Sequence, residues 1–321
     1  MKITIAGAGA HGSMLAFRLA ARDYADEVVM TDVLEGRPQG LALDMMHARA
    51  IDGFKTTVIG TNGYKETSGS TVCVITAGQR REPGMSRGDL LDANAKVVAE
   101  VTLKLLEHSP DTVLVVATNP IDEMVALCHA KSGLPPRRIV GEAGLLNLGR
   151  WKHVVSEHLG TTPDHVDGMV LGSHGETMVP VPSFTRVDGR PLTELLDDTA
   201  IAALVEETRA AAGEILAYLK SGSGFFAAAA AGEATVRAIV RDDGEVLPVC
   251  AWLTGEYGLS DLYFGVPAVL GREGVREVVE LPLTEIEQAL VYRAACIADE
   301  RQNEIEETVA HITARATGPS R

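Results

Sequence analysis

The first twelve residues constrain this chain more than any other stretch. A short apolar run, Lys2–Ala6, leads without a break into Gly7-Ala8-Gly9-Ala10-His11-Gly12. Glycines at this spacing permit a tight turn and let backbone N–H groups approach a phosphate, and a helix opening on the turn adds its partial positive charge. GxGxxG alone is a weak signal. Here it follows a predicted strand and opens a predicted helix, and Asp32 stands 20 residues after Gly12 at the end of the next strand. A carboxylate in that place accepts hydrogen bonds from ribose hydroxyls and repels a 2′-phosphate, which favours NAD over NADP. A turn-forming aspartate is the alternative for Asp32, and the nearby Arg37 keeps NADP open. Lys2 and its apolar run imitate the start of a signal peptide, but three glycines and a histidine spoil an apolar core of that kind.

Lys2–Ala6, Glu27–Thr31, Thr57–Ile59, Thr71–Thr76, Thr112–Ala117 and Arg138–Val140 are short runs rich in Val, Ile and Thr. They are nearly continuous rather than alternating, as strands buried on both faces of a parallel sheet are. Helix-length stretches such as Gly12–Arg22, Leu90–Glu107 and Met124–Ser132 separate them. This alternation predicts a doubly wound α/β domain. The second half reads differently, with a strand over Val166–Leu171 and long helices over Thr199–Lys220 and Leu283–Ala314. Ala227–Ala231 reads as a tightly packed helix, and Val236–Trp252 as a hairpin around Asp242-Asp243-Gly244. The change of pattern places a boundary near residues 146–150, dividing the chain into 1–147 and 148–321. At roughly 150 residues per domain, the 321 residues agree with two.

The chain carries 29 basic against 44 acidic side chains, a formal charge of −15. That balance argues against a nucleic-acid or membrane-surface partner, since both need basic patches. No apolar run approaches the roughly 18 residues of a membrane-spanning helix. Residues 1–147 hold 15 Lys and Arg against 17 Asp and Glu, while residues 148–321 hold 14 against 27. The half that would receive an anionic dinucleotide is therefore nearly neutral. Cys73, Cys128, Cys250 and Cys296 lie scattered in apolar stretches, without metal-ligand spacing. They read as buried, reduced thiols of a cytoplasmic protein with no metal site.

Three further segments carry chemistry. Arg80, Arg81 and Arg87 surround a Pro83-Gly84 turn, and such guanidinium forks suit a hinged loop closing over a carboxylate. A solvated basic loop is the alternative. Thr118-Asn119-Pro120 ends another strand and places an amide at the carboxyl edge of the sheet, where ligands of doubly wound sheets bind. Leu171-Gly172-Ser173-His174-Gly175-Glu176 sets a glycine-flanked imidazole just after a strand, accessible for proton transfer. His47, His108, His129, His153, His158, His165 and His311 read as solvated.

In this order the motifs resemble the lactate/malate dehydrogenase family, and most closely the malate dehydrogenases of its lactate-dehydrogenase-like group. The Arg-x-Pro-Gly-Met-Ser-Arg loop followed by Gly-x-His-Gly carries the likeness, which runs on to Leu253-Thr254-Gly255-Glu256-Tyr257-Gly258 and Tyr263-Phe264-Gly265-Val266-Pro267. The resemblance implies an N-terminal Rossmann domain that binds NAD, followed by an α/β substrate domain. It implies interconversion of malate and oxaloacetate by a homotetramer or homodimer. Carried over residue by residue, Gly7, Gly9 and Gly12 bind the pyrophosphate and Asp32 the ribose, with Asn94 and Asn119 as further cofactor contacts. His174 is the acid/base. Arg87 polarises the keto oxygen, Arg150 clamps the common carboxylate, and Asn119 helps fix substrate and nicotinamide. Arg81 selects the side group, and an arginine there complements a second carboxylate.

Four departures from the family pattern stand out. Asn147 replaces the aspartate that orients the histidine, and without that charge the pKa of His174 is expected to fall. Glu142 is a candidate replacement carboxylate. Glu176 stands where the family has Asp, and Gly224 stands at a pocket position of larger residues. His11 brings an unexpected imidazole into the glycine turn. A weakly active or inactive NAD-binding variant is a second reading, and a lactate or other 2-hydroxy acid dehydrogenase a third. Metal-using NAD-dependent glycosidases share the scaffold, but the Arg81–Arg87 loop argues against them.

Overall fold

The computed structural model describes residues 1–79, 87–142, 144–220 and 224–316, with the backbone alone for Arg87 and for 306–316. Strands β1 (Lys2–Ala6), β2 (Glu27–Thr31), β3 (Thr57–Thr61), β4 (Val72–Ile75), β5 (Val113–Val116) and β6 (Ile139–Gly141) alternate with helices α1 (Ala10–Ala21), α2 (Arg37–Asp52), α3 (Arg87–His108) and α4 (Ile121–Ser132). The strands pair in parallel in the order β3-β2-β1-β4-β5-β6. This is a doubly wound sheet whose order reverses between β1 and β4. Every residue of β4 and β5 is buried, which is why these strands are unbroken runs of Val, Ile, Leu and Cys.

Helix α5 (Gly144–Leu159) contains the expected junction at 146–150. Short strands β7 (Val166–Asp167), β8 (Val170–Leu171), β9 (Val179–Pro180), β10 (Arg186–Val187) and β11 (Arg190–Pro191) follow, then α6 (Leu192–Leu195), α7 (Asp198–Leu219) and α8 (Phe226–Arg241). The order ends with β12 (Val246–Thr254), β13 (Ser260–Gly271), β14 (Gly274–Val278) and α9 (Glu285–Ala316). The last three strands extend the first sheet. Cys250 of β12 pairs antiparallel with Gly141 of β6, making nine strands in the order β14-β13-β12-β6-β5-β4-β1-β2-β3. One apolar cluster accordingly runs from Ile3 and Leu15 through Val236 to Leu253 and Phe264. Among the described residues no helix is long and apolar enough to cross a membrane.

The structure corrects several expectations. The strand predicted over Val166–Leu171 is two strands, β7 pairing with β10 and β8 with β9. Between them Gly168 lies against Trp151 and Thr185, where an added Cβ would stand 3.2 Å from Thr185 Oγ1 and 3.3 Å from the Trp151 ring. The hairpin predicted around Asp242 is instead the end of α8 and a turn into β12, whose hairpin partner is β13. Val236, Ile239 and Val240 are β-branched, yet their spacing follows a helical face buried where α8 packs on α1. Burial outweighs their propensity. Cys296 is exposed while the other three thiols are buried. His129, expected in solvent, packs its ring 5.1 Å from Trp252 and 5.5 Å from Tyr263.

Gly265 of β13 supports the loop that carries His174. Gly172 N–H donates to Gly265 O at 2.9 Å, and a Cβ on Gly265 would stand 2.0 Å from Gly172 O. Gly265→Ala is expected to destabilise the fold by about 2 kcal/mol through overpacking, read as a drop of several degrees in the thermal midpoint. An unchanged midpoint would show that the two backbones are free to part.

Candidate active site

The glycine turn joins β1 to α1. Gly7 has φ +114, and a Cβ there would meet Ala77 N at 2.6 Å; one on Gly12 would meet Gly7 O at 1.9 Å. These two glycines are demanded by the protein's own backbone. Gly9 is different, because an added Cβ would meet nothing within 4 Å. It faces open space at the N-terminus of α1, which no side chain caps, so a phosphate has both room and unshared amides there. Asp32 Oδ2 accepts from Ala8 N at 2.6 Å and Oδ1 from Leu34 N at 2.9 Å. The carboxylate thus braces the turn from the end of β2, where a ribose would lie. Arg37 lies on the same turn, its Nε donating to Ala8 O at 2.8 Å. These residues fit a dinucleotide.

Asn119 follows β5 and is exposed, its peptide bond to Pro120 being cis. Asn94, expected to touch the cofactor, is fully buried in α3. Its Oδ1 accepts from Gln79 N at 2.6 Å, and its Nδ2 donates to Asn119 O at 2.7 Å and to Gln79 O at 3.3 Å. Asn94 is therefore a brace between two loops at the carboxyl edge. Its amide pattern could be read from sequence only as polarity, since its burial depends on how α3 lies on the sheet. Arg81 lies outside the described residues, as does the side chain of Arg87.

The other wall of the site comes from α5 and the loop after β8. Asn147 and Arg150 stand three apart on α5 and so share a face. Asn147 is buried, and its Oδ1 lies 3.0 Å from His174 Nδ1. An amide oxygen only accepts, so the ring proton is on Nδ1 and Nε2 is left bare. Burial pushes the His174 imidazole down to about 4, with the nearby Arg150 guanidinium adding to the effect. Arg150 Nη1, Asn147 Nδ2 and Thr177 Oγ1 are buried without a partner among the described residues. Unpaired donors beside a neutral imidazole suit a carboxylate with an adjacent oxygen. Arg150 also lines a cavity of about 790 Å³ with Leu145, Ile215, Phe225 and Gly224. Gly224 is exposed there, with Ile215 Cγ2 3.3 Å from where its Cβ would be.

Two carboxyls complete the setting. Glu142 does not take the place of the missing aspartate: its Oε2 lies 3.7 Å from His11 Nε2, and among the described residues Arg150 is the charge that acts on His174. Asp122 escaped the sequence reading. It is buried beneath the His174 loop, near Cys250, the Ser173 hydroxyl and the His174 amide, and burial pushes it up to about 6. Its place two residues beyond Pro120 was the available signal. Glu176 is exposed. No group of three or more His, Cys, Asp or Glu among the described residues could hold a metal ion.

Residues 1–141 match the family described as lactate/malate dehydrogenase, NAD binding domain, and residues 145–312 match lactate/malate dehydrogenase, alpha/beta C-terminal domain. A malate dehydrogenase of Nostoc punctiforme is 46% identical over 92% of this chain and 90% of its own. One from Thermomicrobium roseum is 46% identical over 92% and 94%. The solved malate dehydrogenase of Salinibacter ruber superposes with a TM-score of 0.92 at 40% identity, covering 97% of this chain and 99% of the other. A Cryptosporidium parvum lactate dehydrogenase complexed with lactic acid and nicotinamide adenine dinucleotide gives 0.91 at 35% identity, over 95% and 98%.

His11 is also pushed to about 4, mainly by burial. An unfolded chain binds protons at both histidines below about 6.5, whereas the folded chain does so only near 4. The stability linked to the neutral rings is thus whole above about pH 6.5 and is lost as pH falls toward 4. Asp122 and Glu142, whose carboxyls burial holds up, act in the opposite sense across the same window. The thermal midpoint of His11→Val is therefore expected to be less lowered, relative to its value at pH 7, than that of the unaltered protein at pH 4.5. Identical pH profiles in the two proteins would contradict the burial of His11.

Proposed function

The chain belongs to the lactate/malate dehydrogenase family, and we infer that it acts as an NAD-dependent malate dehydrogenase, interconverting malate and oxaloacetate. The reading rests above all on His174, held through Nδ1 by Asn147 Oδ1 at 3.0 Å, with Arg150 beside it and Arg150 Nη1 without a partner among the described residues. Bound NAD would supply the hydride acceptor for oxidation of malate, and bound NADH the hydride donor for reduction of oxaloacetate. Gly7, Gly9 and Gly12 hold the pyrophosphate, Asp32 the ribose, and Asn119 the nicotinamide end. Residues 1–147 serve the cofactor and residues 148–321 the substrate, with α5 reaching across.

His174 moves the proton. Its bare Nε2 accepts the hydroxyl proton of malate during oxidation and returns it to the oxygen during reduction. Arg150 pairs with the carboxylate next to the reacting carbon. Arg87 would polarise the keto oxygen, and Arg81 would meet the second carboxylate, both by their place in the sequence. A methyl group in place of that carboxylate leaves Arg81 desolvated and unpaired. Asn147 holds the tautomer but supplies no charge to an imidazolium. Reduction, which needs protonated His174, is therefore displaced toward acid pH.

The same reading includes a cytoplasmic homo-oligomer, a tetramer or dimer. Four free thiols fit a reducing compartment, and the partly exposed Ile215, Leu216, Leu219 and Phe226 around the α7–α8 connection fit a covered face.

With NADH, kcat/KM for oxaloacetate is expected to exceed that for pyruvate by about 100-fold or more. A preference for pyruvate would overturn the role of Arg81. Asn147→Asp is expected to move the reduction profile toward neutral pH and raise turnover at pH 7, about tenfold per unit of pKa restored. Equal turnover in the two proteins would remove the assigned deficit. NADH binding without turnover of either substrate would mark the chain as an inactive cofactor-binding variant, the reading that Asn147 itself favours.

A further inference from the structure

Two residues that the sequence singles out for different reasons, far apart along the chain, meet in the structure. His11 is the second residue of α1, and Glu142 follows β6 directly, its N–H donating to Val116 O at 2.8 Å. His11 Nε2 and Glu142 Oε2 are 3.7 Å apart, too far for a hydrogen bond. Both His11 Nε2 and Glu142 Oε1 are buried without a hydrogen-bond partner among the described residues. The carboxyl lies in a slot between α1 and α8, 3.7 Å from the Cβ position of Gly232, with Leu15 against the same glycine. The Glu142 side chain is 2% exposed, whereas the His11 side chain is 21% exposed. The imidazole therefore separates a sealed carboxyl from the crevice.

The position of this pair matters. A dinucleotide that spans from Asp32 and the glycine turn to His174 must pass the carboxyl ends of β1, β5 and β6. His11, Asn119 and Glu142 stand at those ends, and α5 with Asn147 and Arg150 begins two residues beyond Glu142. The reactive ring is thus brought to the wall that the pair forms. This step rests on the NAD reading above.

We propose that the Glu142 carboxyl, with His11 as its path to the crevice, is a proton site that senses the charge of the nicotinamide ring, releasing its proton when NAD⁺ binds and keeping it when NADH binds. The Glu142 O–H bond breaks, its electron pair stays on the carboxylate, and the proton leaves to solvent past the part-exposed His11 ring. The carboxylate then faces a positively charged ring across a region of low dielectric, where opposite charges favour each other strongly. NADH brings a neutral ring and no such reward, so the carboxyl stays protonated. Burial supports this, since it holds Glu142 well above the usual carboxylate range and His11 neutral.

The Ala228 backbone on α8 hydrogen-bonds to the His11 ring and opposes part of the effect of burial. On α1 and α8, Arg18 and Arg22 close on Glu233 at 2.6 and 2.9 Å. On α5 Arg150 is permanently charged, the His174 ring is neutral at pH 7, and Asp122 on α4, at about 6, is largely ionised there.

Isothermal titration calorimetry at pH 7, in phosphate and in Tris, counts the protons released on binding. Close to one proton is expected per NAD⁺ and about none per NADH, and Glu142→Gln is expected to bind both cofactors with no release. Fluorescence titration with NADH checks binding separately. Failure to bind NADH sinks the cofactor reading, whereas binding of both cofactors without release from NAD⁺, or with the same release from Glu142→Gln, sinks the proton site alone. Should that variant not fold, the unaltered protein decides: its affinity for NAD⁺ relative to NADH should rise by up to about tenfold per pH unit between pH 6 and 8, and a flat ratio overturns the proposal.

Discussion

The backbone contact between Gly7 and Gly12 sets the geometry on which the rest of the site depends. A Cβ on Gly12 would lie 1.9 Å from Gly7 O, so the chain between β1 and α1 closes about as tightly as a backbone permits. Both neighbouring strands reinforce it. Gly7 N donates to Thr31 O at 2.8 Å from the β2 side, and Thr76 Oγ1 donates to Gly7 O at 2.9 Å from the β4 side. The start of α1 is thereby held over the point where the strand order reverses, and its unshared amides face one crevice. A larger residue at Gly7 or Gly12 would tilt α1 and break the alignment with α5.

Around that crevice the chain keeps its buried polar groups neutral or paired. His174 is balanced by an amide rather than a carboxylate, and Glu233 is closed by two arginines. In a medium of low dielectric an unpaired charge costs more than any single contact returns, so neutrality is the stable condition of these groups. Arg150 departs from this, a half-buried guanidinium with one nitrogen that has no partner among the described residues. In a chain of net charge −15, that local positive charge is worth keeping where an anionic substrate is to be held. The same arginine pushes His174 down, so an anion paired with it would also relieve the histidine.

Much of the fold was legible because its signals are local. The six parallel strands announce themselves as short β-branched runs, since burial on both faces removes any polar alternation. Where a local signal was ambiguous the reading failed: Val236, Ile239 and Val240 look like strand residues and become one face of α8 once α1 covers them. In the site, His174 and Asn147 were legible from their motifs, and the structure sets them 3.0 Å apart. Asn94 was assigned to the cofactor and proved to be a fully buried brace, because a motif records a residue's presence and not the direction it faces. Asp122 was missed, since only the burial of α4 beneath the His174 loop gives its carboxyl a perturbed proton.

By itself the sequence determined the doubly wound sheet, the dinucleotide turn and the types of side chain at the site. These follow from spacing along the chain, where glycine conformation and hydrophobic period act over a few residues. Only the tertiary structure decided that β12 to β14 complete the first sheet, and that Glu142 turns to His11 rather than to His174. Both depend on which surfaces meet across long stretches of chain. Pairing at such distances is settled by packing and desolvation of the whole fold, which no local pattern encodes.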